Sequence, residues 1–456
     1  MAGRLETVRA GDWLTVSRMR LWAVAVLIAS VAGIVWLAVT SSGLNDYQGR
    51  PLGTDFSNIY VAGSYIVEGR PEAPFDPRLQ HARARQIFGD ATPLYGWHYP
   101  PFFHFVAAPL ATMPYLVALF VWQAATLALY LFAVLAIARS IPPPQGEGGE
   151  QRSCEPGGAF FPDTSPPPGR LSLSSGRASR GPVGRPPSPC GGGIILLLAL
   201  AFPAAFVNLG HGHNGFLTAA LIGFALLWLD RRPIVAGILF GLLAYKPQFG
   251  LMIPLVLLAT GRWRTLLAAG ATVIVLALAV TLVFGVETWR AFLASAPFTR
   301  AVLEQGGPGW HLIQSVFSFV RMWGGPIALA YAAQGALTLG LAAALVWLWR
   351  SQADFALKAA ALCLATLLAT PYSMDYDMMA LAPAIAFLGV HGLRRGFAPY
   401  EISALAALWI VPLVARSIAQ VALIPLGVIV MLAMFLVVLH RARSDFATVP
   451  TAVPAE

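Results

Sequence analysis

The sequence predicts an all-α, polytopic membrane protein, and three observations predict it. Of 456 residues, 57% are hydrophobic and only 11% charged, against roughly 25% charged in a typical soluble domain. Apolar runs of about 15 to 25 residues recur along most of the chain, the length a membrane-crossing helix needs. The arginines, finally, cluster at alternate ends of those runs.

The runs lie near 21–41, 114–138, 194–209, 215–230, 233–247, 249–260, 265–284, 326–349, 355–370, 376–392, 400–418 and 421–440, which gives about twelve spans, several of them short. The first follows Arg4, Arg9, Arg18 and Arg20. It exceeds the 7–15-residue core of a signal peptide and predicts an uncleaved anchor. Numbered alternately, the spans place Arg139, Arg231, Arg232, Arg262, Arg264, Arg350, Arg394, Arg395, Arg441 and Arg443 on one side. The positive-inside rule makes that side cytoplasmic, together with both termini. The expected location is a bacterial cytoplasmic membrane. The net charge of +9 is then a set of orienting charges, and no nucleic-acid partner is implied.

Four regions follow: an anchor, first outer loop and second span over 1–139; a linker over 140–193; a helical bundle over 194–440; and a tail over 441–456. The linker contains IPPPQGEGGE and SSGRASRGPVGRPPSPCGGG, which bury too little apolar surface to fold, so disorder is expected. Cys154, Cys190 and Cys363 form no C-x-x-C pair. The topology makes the first two cytosolic and reduced.

The same topology sends the unusual polar stretches outward: GTDFSNIYVAG (53–63), HGHNG (211–215), YKPQFG (245–250), GPGWHLIQS (307–315) and TPYSMDYD (370–377). A transporter places such groups near mid-membrane in two related halves. Here no repeat is visible and the polar groups share one face, which points to a reaction at the outer surface. In loop 42–113, Asp55 precedes a helical stripe that ends at Gly69. A second helix reads Asp76 as N-cap, Pro77 at its first position and Gly89 past its end. These helices are expected in the outer interface, where they can guide a lipid tail.

Asp55 can cap the helix from Phe56 or accept a proton from an attacking hydroxyl, and position alone leaves both open. Lys246 is one of two lysines among 30 basic residues. It is either a snorkelling side chain beside a Pro break or a phosphate contact, with Gln248 as a further donor. His211 and His213 have H-x-H spacing but no carboxylate or cysteine beside them to complete a metal site, so no metal is expected. With Asn214 they can contact phosphate or sugar, or form a polar turn. His311 is a further phosphate or sugar contact. Asp375-Tyr376-Asp377 reads as a D-x-D or as helix capping, and capping is the expectation. No Walker loop, dinucleotide fingerprint or G-x-S-x-G elbow is present.

In order, GTDFSNIY, YPP, GHGHNG, YKPQ and TPYSMDYDMMALAP resemble glycosyltransferase family 87 of the GT-C superfamily. The likeness spans nearly the whole chain outside 140–193. The resemblance implies an inverting, GT-C-like transferase that uses a polyprenyl-monophosphate sugar, with mannose or another hexose moved to a glycolipid or glycan acceptor. It implies Asp55 as the base. A phosphate leaves readily and needs cations rather than a general acid, so no cofactor is expected. Lys246 is the expected phosphate anchor, with His311 and His211 assisting and Trp97, His98 and Tyr99 lining the substrate path. A lipid or glycan transporter, or a non-catalytic scaffold, would instead leave sugar transfer absent.

Overall fold

The computed structural model describes residues 2–140 and 191–447. The linker expected over 140–193, with Cys154 and Cys190, lies outside the described residues except at its edges, as does the tail from residue 448. Among the described residues every extended regular element is helical.

Seven helices are long and apolar enough to cross a bilayer: Val16–Val39, Tyr115–Arg139, Trp263–Phe284, Ile327–Arg350, Asp375–Arg395, Glu401–Ala422 and Leu426–Ser444. Gly193–Leu200 and Pro203–His211, bent by 49°, make an eighth if they form one broken span. The expected count of about twelve is therefore not confirmed. The runs at 215–230, 233–247, 249–260 and 355–370 fold as shorter helices, Gly215–Trp228, Pro233–Tyr245, Pro247–Ala259 and Phe355–Leu368. The longest of these has 14 residues. At 1.5 Å per residue that is about 21 Å, short of a hydrocarbon core of about 30 Å.

Composition does not separate such helices from true spans, because a helix apolar all round also suits a protein core. Phe355–Leu368 is that case: every residue from Ala359 to Leu368 is buried. The long helices differ in the same way. Only 6% of the most apolar stretch of Val16–Val39 and of Trp263–Phe284 is buried in the protein, against 72% for Asp375–Arg395. The first two face lipid, and the third is the centre of the bundle.

Contacts draw the arginine-bearing helix ends together. Arg394 donates to the Ser140 carbonyl, one residue past Arg139. Arg441 donates to the Gly396 carbonyl at 3.0 Å. Arg262 meets Asp230 at 2.5 Å and lies 5.9 Å from the Trp349 ring centre. The polar motifs occupy the other helix ends.

In the first loop, the helix Thr54–Val67 starts after Gly53, whose φ of 69° makes it the cap. Asp55 is thus not the cap, one of the two readings that position alone left open. It lies inside the first turn, with its carboxylate unspent on backbone. The second helix follows expectation: Asp76 accepts from the Arg78 N–H at 2.8 Å before Pro77–Phe88, and Gly89 ends it at φ 99°. Thr54–Val67 is packed into the protein, with Phe56, Ile59, Val61 and Ala62 fully buried. Gly63 permits this, since a Cβ there would stand 2.2 Å from the Ala107 carbonyl oxygen of His104–Ala111.

Candidate active site

Three backbone interruptions assemble the site. Pro203–His211 ends at Gly212 in the left-handed region (φ 64°). A Cβ at Gly212 would fall 2.6 Å from the Phe56 Cβ, so glycine is what lets this helix end reach the start of Thr54–Val67. Pro247, which has no N–H to give, breaks the chain into two 3-10 turns with Lys246 between them. The third interruption precedes the 3-10 turn Asp375–Ala380, which opens the central span. Asn208 fastens two of them together, donating to the Tyr376 carbonyl and accepting from the Gly215 N–H, both at 2.9 Å.

Asp55 comes to lie 3.7 Å from His211 Nδ1, and the two side chains are 28% and 32% exposed. Thr54 Oγ1 is 2.7 Å from the same nitrogen and positions the ring. Burial raises the Asp55 pKa to about 7. The Asp375 charge adds to the rise, Lys246 opposes it, and Asp377 raises it further. A carboxylate in this range accepts a proton readily near neutral pH. Nearby Tyr95 is pushed up to about 12, first by burial and then by the Asp55 charge.

Lys246 donates to Asp377, and both side chains are under 5% exposed. The other Asp377 oxygen accepts from the Met374 N–H at 2.9 Å, so capping and ion pairing share one carboxylate. Asp375 accepts from the Tyr376 N–H at 2.9 Å and faces Arg416 at 3.7 Å. Arg416 is 43% exposed. Tyr376 lies flat on His213, with ring centres 3.5 Å apart, and His213 Nε2 is 3.2 Å from the Tyr99 hydroxyl. Asn214 is fully buried, and neither its amide nitrogen nor its amide oxygen has a hydrogen-bond partner among the described residues.

His311 sits in the turn Trp310–Leu312, on a loop tied to the 370–377 motif by the Gln314 N–H on the Ser373 carbonyl (2.6 Å). Burial, and then the Arg416 charge, hold its pKa below the ordinary value. Thus Asp55, His211, His213, Asn214, Tyr99 and Lys246 converge, and His311 is linked to them through Arg416. His98 turns away: it bonds Thr299 Oγ1 at 2.9 Å and stacks on Phe298, and burial lowers its pKa to about 4. Gln248 is half-buried in the turn after Lys246. His211 and His213 have different partners and do not act as an H-x-H pair. Among the described residues no three His, Cys, Asp or Glu side chains are grouped to hold a metal.

Sequence reasoning missed three members: Asp375 and Asp377 as site carboxylates, and Arg416. The signal for Arg416 was available, because it is the one charged residue in the apolar run 400–418 after Glu401, close to the end of that run that lies beside the polar motifs.

Glycosyltransferase family 87 matches the chain over residues 97–371, more than half its length. No curated protein and no solved structure matches it. Tyr99, His211, His213, Asn214, Lys246 and His311 fall within the matched residues; Asp55, Asp375, Asp377 and Arg416 flank them. With its convergent polar site at one end of a multi-pass bundle, the chain belongs to glycosyltransferase family 87.

Proposed function

We propose that the protein is an inverting hexosyltransferase that takes its sugar, mannose or a related hexose, from a polyprenyl-monophosphate donor. The acceptor is a hydroxyl of a glycolipid or glycan at the outer face of the cytoplasmic membrane. The observation that carries this reading is the Asp55 carboxylate: uncapped, partly exposed, with a pKa near 7 and 3.7 Å from His211.

In the reaction, the acceptor oxygen attacks the anomeric carbon from the face opposite the phosphate. The new C–O bond forms as the bond from the anomeric carbon to the phosphate oxygen breaks. The hydroxyl proton passes to Asp55, and polyprenyl phosphate leaves with the electron pair. The departing charge is stabilised by cations already in position. Lys246 is largely neutralised by Asp377, so its positive charge reaches the phosphate mainly as part of a pair. Arg416 is a partly exposed cation of the cluster, and with His311 it is suited to meet the phosphate directly. His213, Asn214 and Tyr99 offer sugar hydroxyls a row of hydrogen-bonding groups, with the Tyr376 ring beside them.

An outer location accords with the arginine-rich helix ends lying opposite the site, since basic residues favour the cytoplasmic side. It also accords with a lipid-borne donor, because nucleotide sugars are cytoplasmic. The test is transfer from radiolabelled polyprenyl-phosphate mannose by the purified full-length protein in vesicles. Wild-type protein should form a labelled product and Asp55→Asn should not. Transfer by Asp55→Asn at the wild-type rate would show that the base is elsewhere.

A further inference from the structure

The arginine-rich end of the bundle carries a second site. Between the helices Met252–Ala259 and Ile327–Arg350 runs a groove of about 720 Å³. Leu255, Ala342, Ala343, Val346 and Trp347 form its walls, with Arg350 and Ser351 at one end. The small side chains of Ala342 and Ala343 leave the space, and Val346 and Trp347 continue the same face one turn on. The walls are apolar, and all of them but Leu255 belong to Ile327–Arg350, a helix long and apolar enough to cross a membrane.

The end at Arg350 is cationic. The Arg443 guanidinium lies 5.2 Å from the Trp347 ring centre, and Lys358 Nζ donates to the carbonyl of Ser351, beside Arg350, at 2.7 Å. Among the described residues neither Arg350 nor Arg443 has a hydrogen bond or ion pair to another side chain or to the backbone. Two nearby described acids are engaged elsewhere. Asp230 meets Arg262 at 2.5 Å, and Asp354 accepts from the Ala356 N–H at 2.8 Å with His391 at 3.8 Å. None of the residues lining the groove is acidic.

Two guanidinium groups with no acidic partner among the described residues favour an anion at the edge of a low-dielectric region, and an apolar groove favours a chain. A soluble anion satisfies only the first requirement and a zwitterionic lipid only the second. We propose that this groove binds an anionic phospholipid, one acyl chain lying between the two helices and its phosphate on Arg350 and Arg443. The lipid would occupy the leaflet opposite the transfer site. The proposal does not depend on which sugar or donor the enzyme uses.

The test is native mass spectrometry of the full-length protein titrated with phosphatidylglycerol and, separately, with phosphatidylcholine of the same chains. Wild-type protein should retain phosphatidylglycerol preferentially. Arg350→Gln and Arg443→Gln should each weaken retention about fivefold, the worth of roughly one surface cation near an anionic lipid. Ala343→Phe keeps both charges but fills the groove, and should also lose the lipid. Arg231→Gln, which is not among the residues lining the groove, should not. Equal retention of the two lipids would overturn the site. So would a double arginine variant that binds as wild type, or displacement of the lipid by free glycerol phosphate at matched concentration.

Discussion

Lys246 and Asp377, 131 residues apart in the chain, form an ion pair in which neither side chain is more than 4% exposed. The pair joins the bend between two short helices to the turn that opens the central span. Taking two charges out of water is costly, and a buried pair contributes less net stability than its strength suggests. Removing one partner is a different matter, because it leaves an uncompensated charge. Lys246→Met or Asp377→Leu should therefore each destabilise the protein by about 3–5 kcal/mol. The double variant should lose clearly less than the sum. Thermal unfolding of the four proteins in one detergent tests this, and additive losses would mean that the two charges do not depend on each other.

Asp55 differs from that pair because its charge is partly exposed and faces no lysine directly. With a pKa near 7 in the free enzyme, transfer limited by this base should rise with pH through about 7 and level off above it. Asp55→Asn should lower the rate by about 10²- to 10⁴-fold, the usual worth of a general base. The same shift predicts a stability effect of definite sign. The folded protein holds this proton more tightly than the unfolded chain, so stability from this group falls as pH rises from about 4 to about 7. Asp55→Asn should accordingly raise the melting temperature at pH 8 and leave it nearly unchanged at pH 4. A rate profile that is flat from pH 6 to 8 would remove Asp55 from the base role.

Arg416 bears on donor binding. It is 43% exposed and faces Asp375 at 3.7 Å, a contact loose enough to be exchanged for a phosphate oxygen. Hydrogen bonds to charged groups contribute about 1.5–3 kcal/mol. Arg416→Gln should raise the KM for the lipid-phosphate donor by roughly ten- to a hundredfold, with Arg416→Lys intermediate and the melting temperature little altered. A change confined to kcat, with donor KM intact, would put the guanidinium elsewhere in the reaction.

Local signals carried well from sequence to structure, and long-range ones did not. Asp76, Pro77 and Gly89 bracket their helix as expected, because a cap, a first-turn proline and a left-handed glycine act within a few residues. Asp55 fails as a cap for an equally local reason: Gly53 supplies the helix start by its backbone conformation. Lys246 stands out by composition, but its partner cannot be inferred from spacing. The apolar runs overstate the span count because helices such as Phe355–Leu368, buried in the bundle, are as apolar as those facing lipid. Arg416 is overlooked for a different cause, since arginines weighed only as orienting charges at loop positions leave one inside a run without a role.

Gly63 and Gly212 test whether the site depends on close backbone approach. A Cβ at Gly63 would stand 2.2 Å from a backbone oxygen, which cannot move aside as a side chain can. One at Gly212 would meet the Phe56 Cβ at 2.6 Å, at a φ of 64° that strains any branched residue. Gly63→Val should destabilise the protein by about 1–3 kcal/mol or more, as overpacking does. Gly212→Val acts where the Pro203–His211 helix end meets the start of Thr54–Val67, and so should separate His211 from Asp55. Its expected mark is a fall in transfer rate larger than the loss of thermal stability accounts for, measured well below the melting temperature of the variant. If Gly212→Val keeps wild-type kcat and KM there, the 3.7 Å approach of His211 to Asp55 is not needed for transfer. The base then acts without its histidine neighbour.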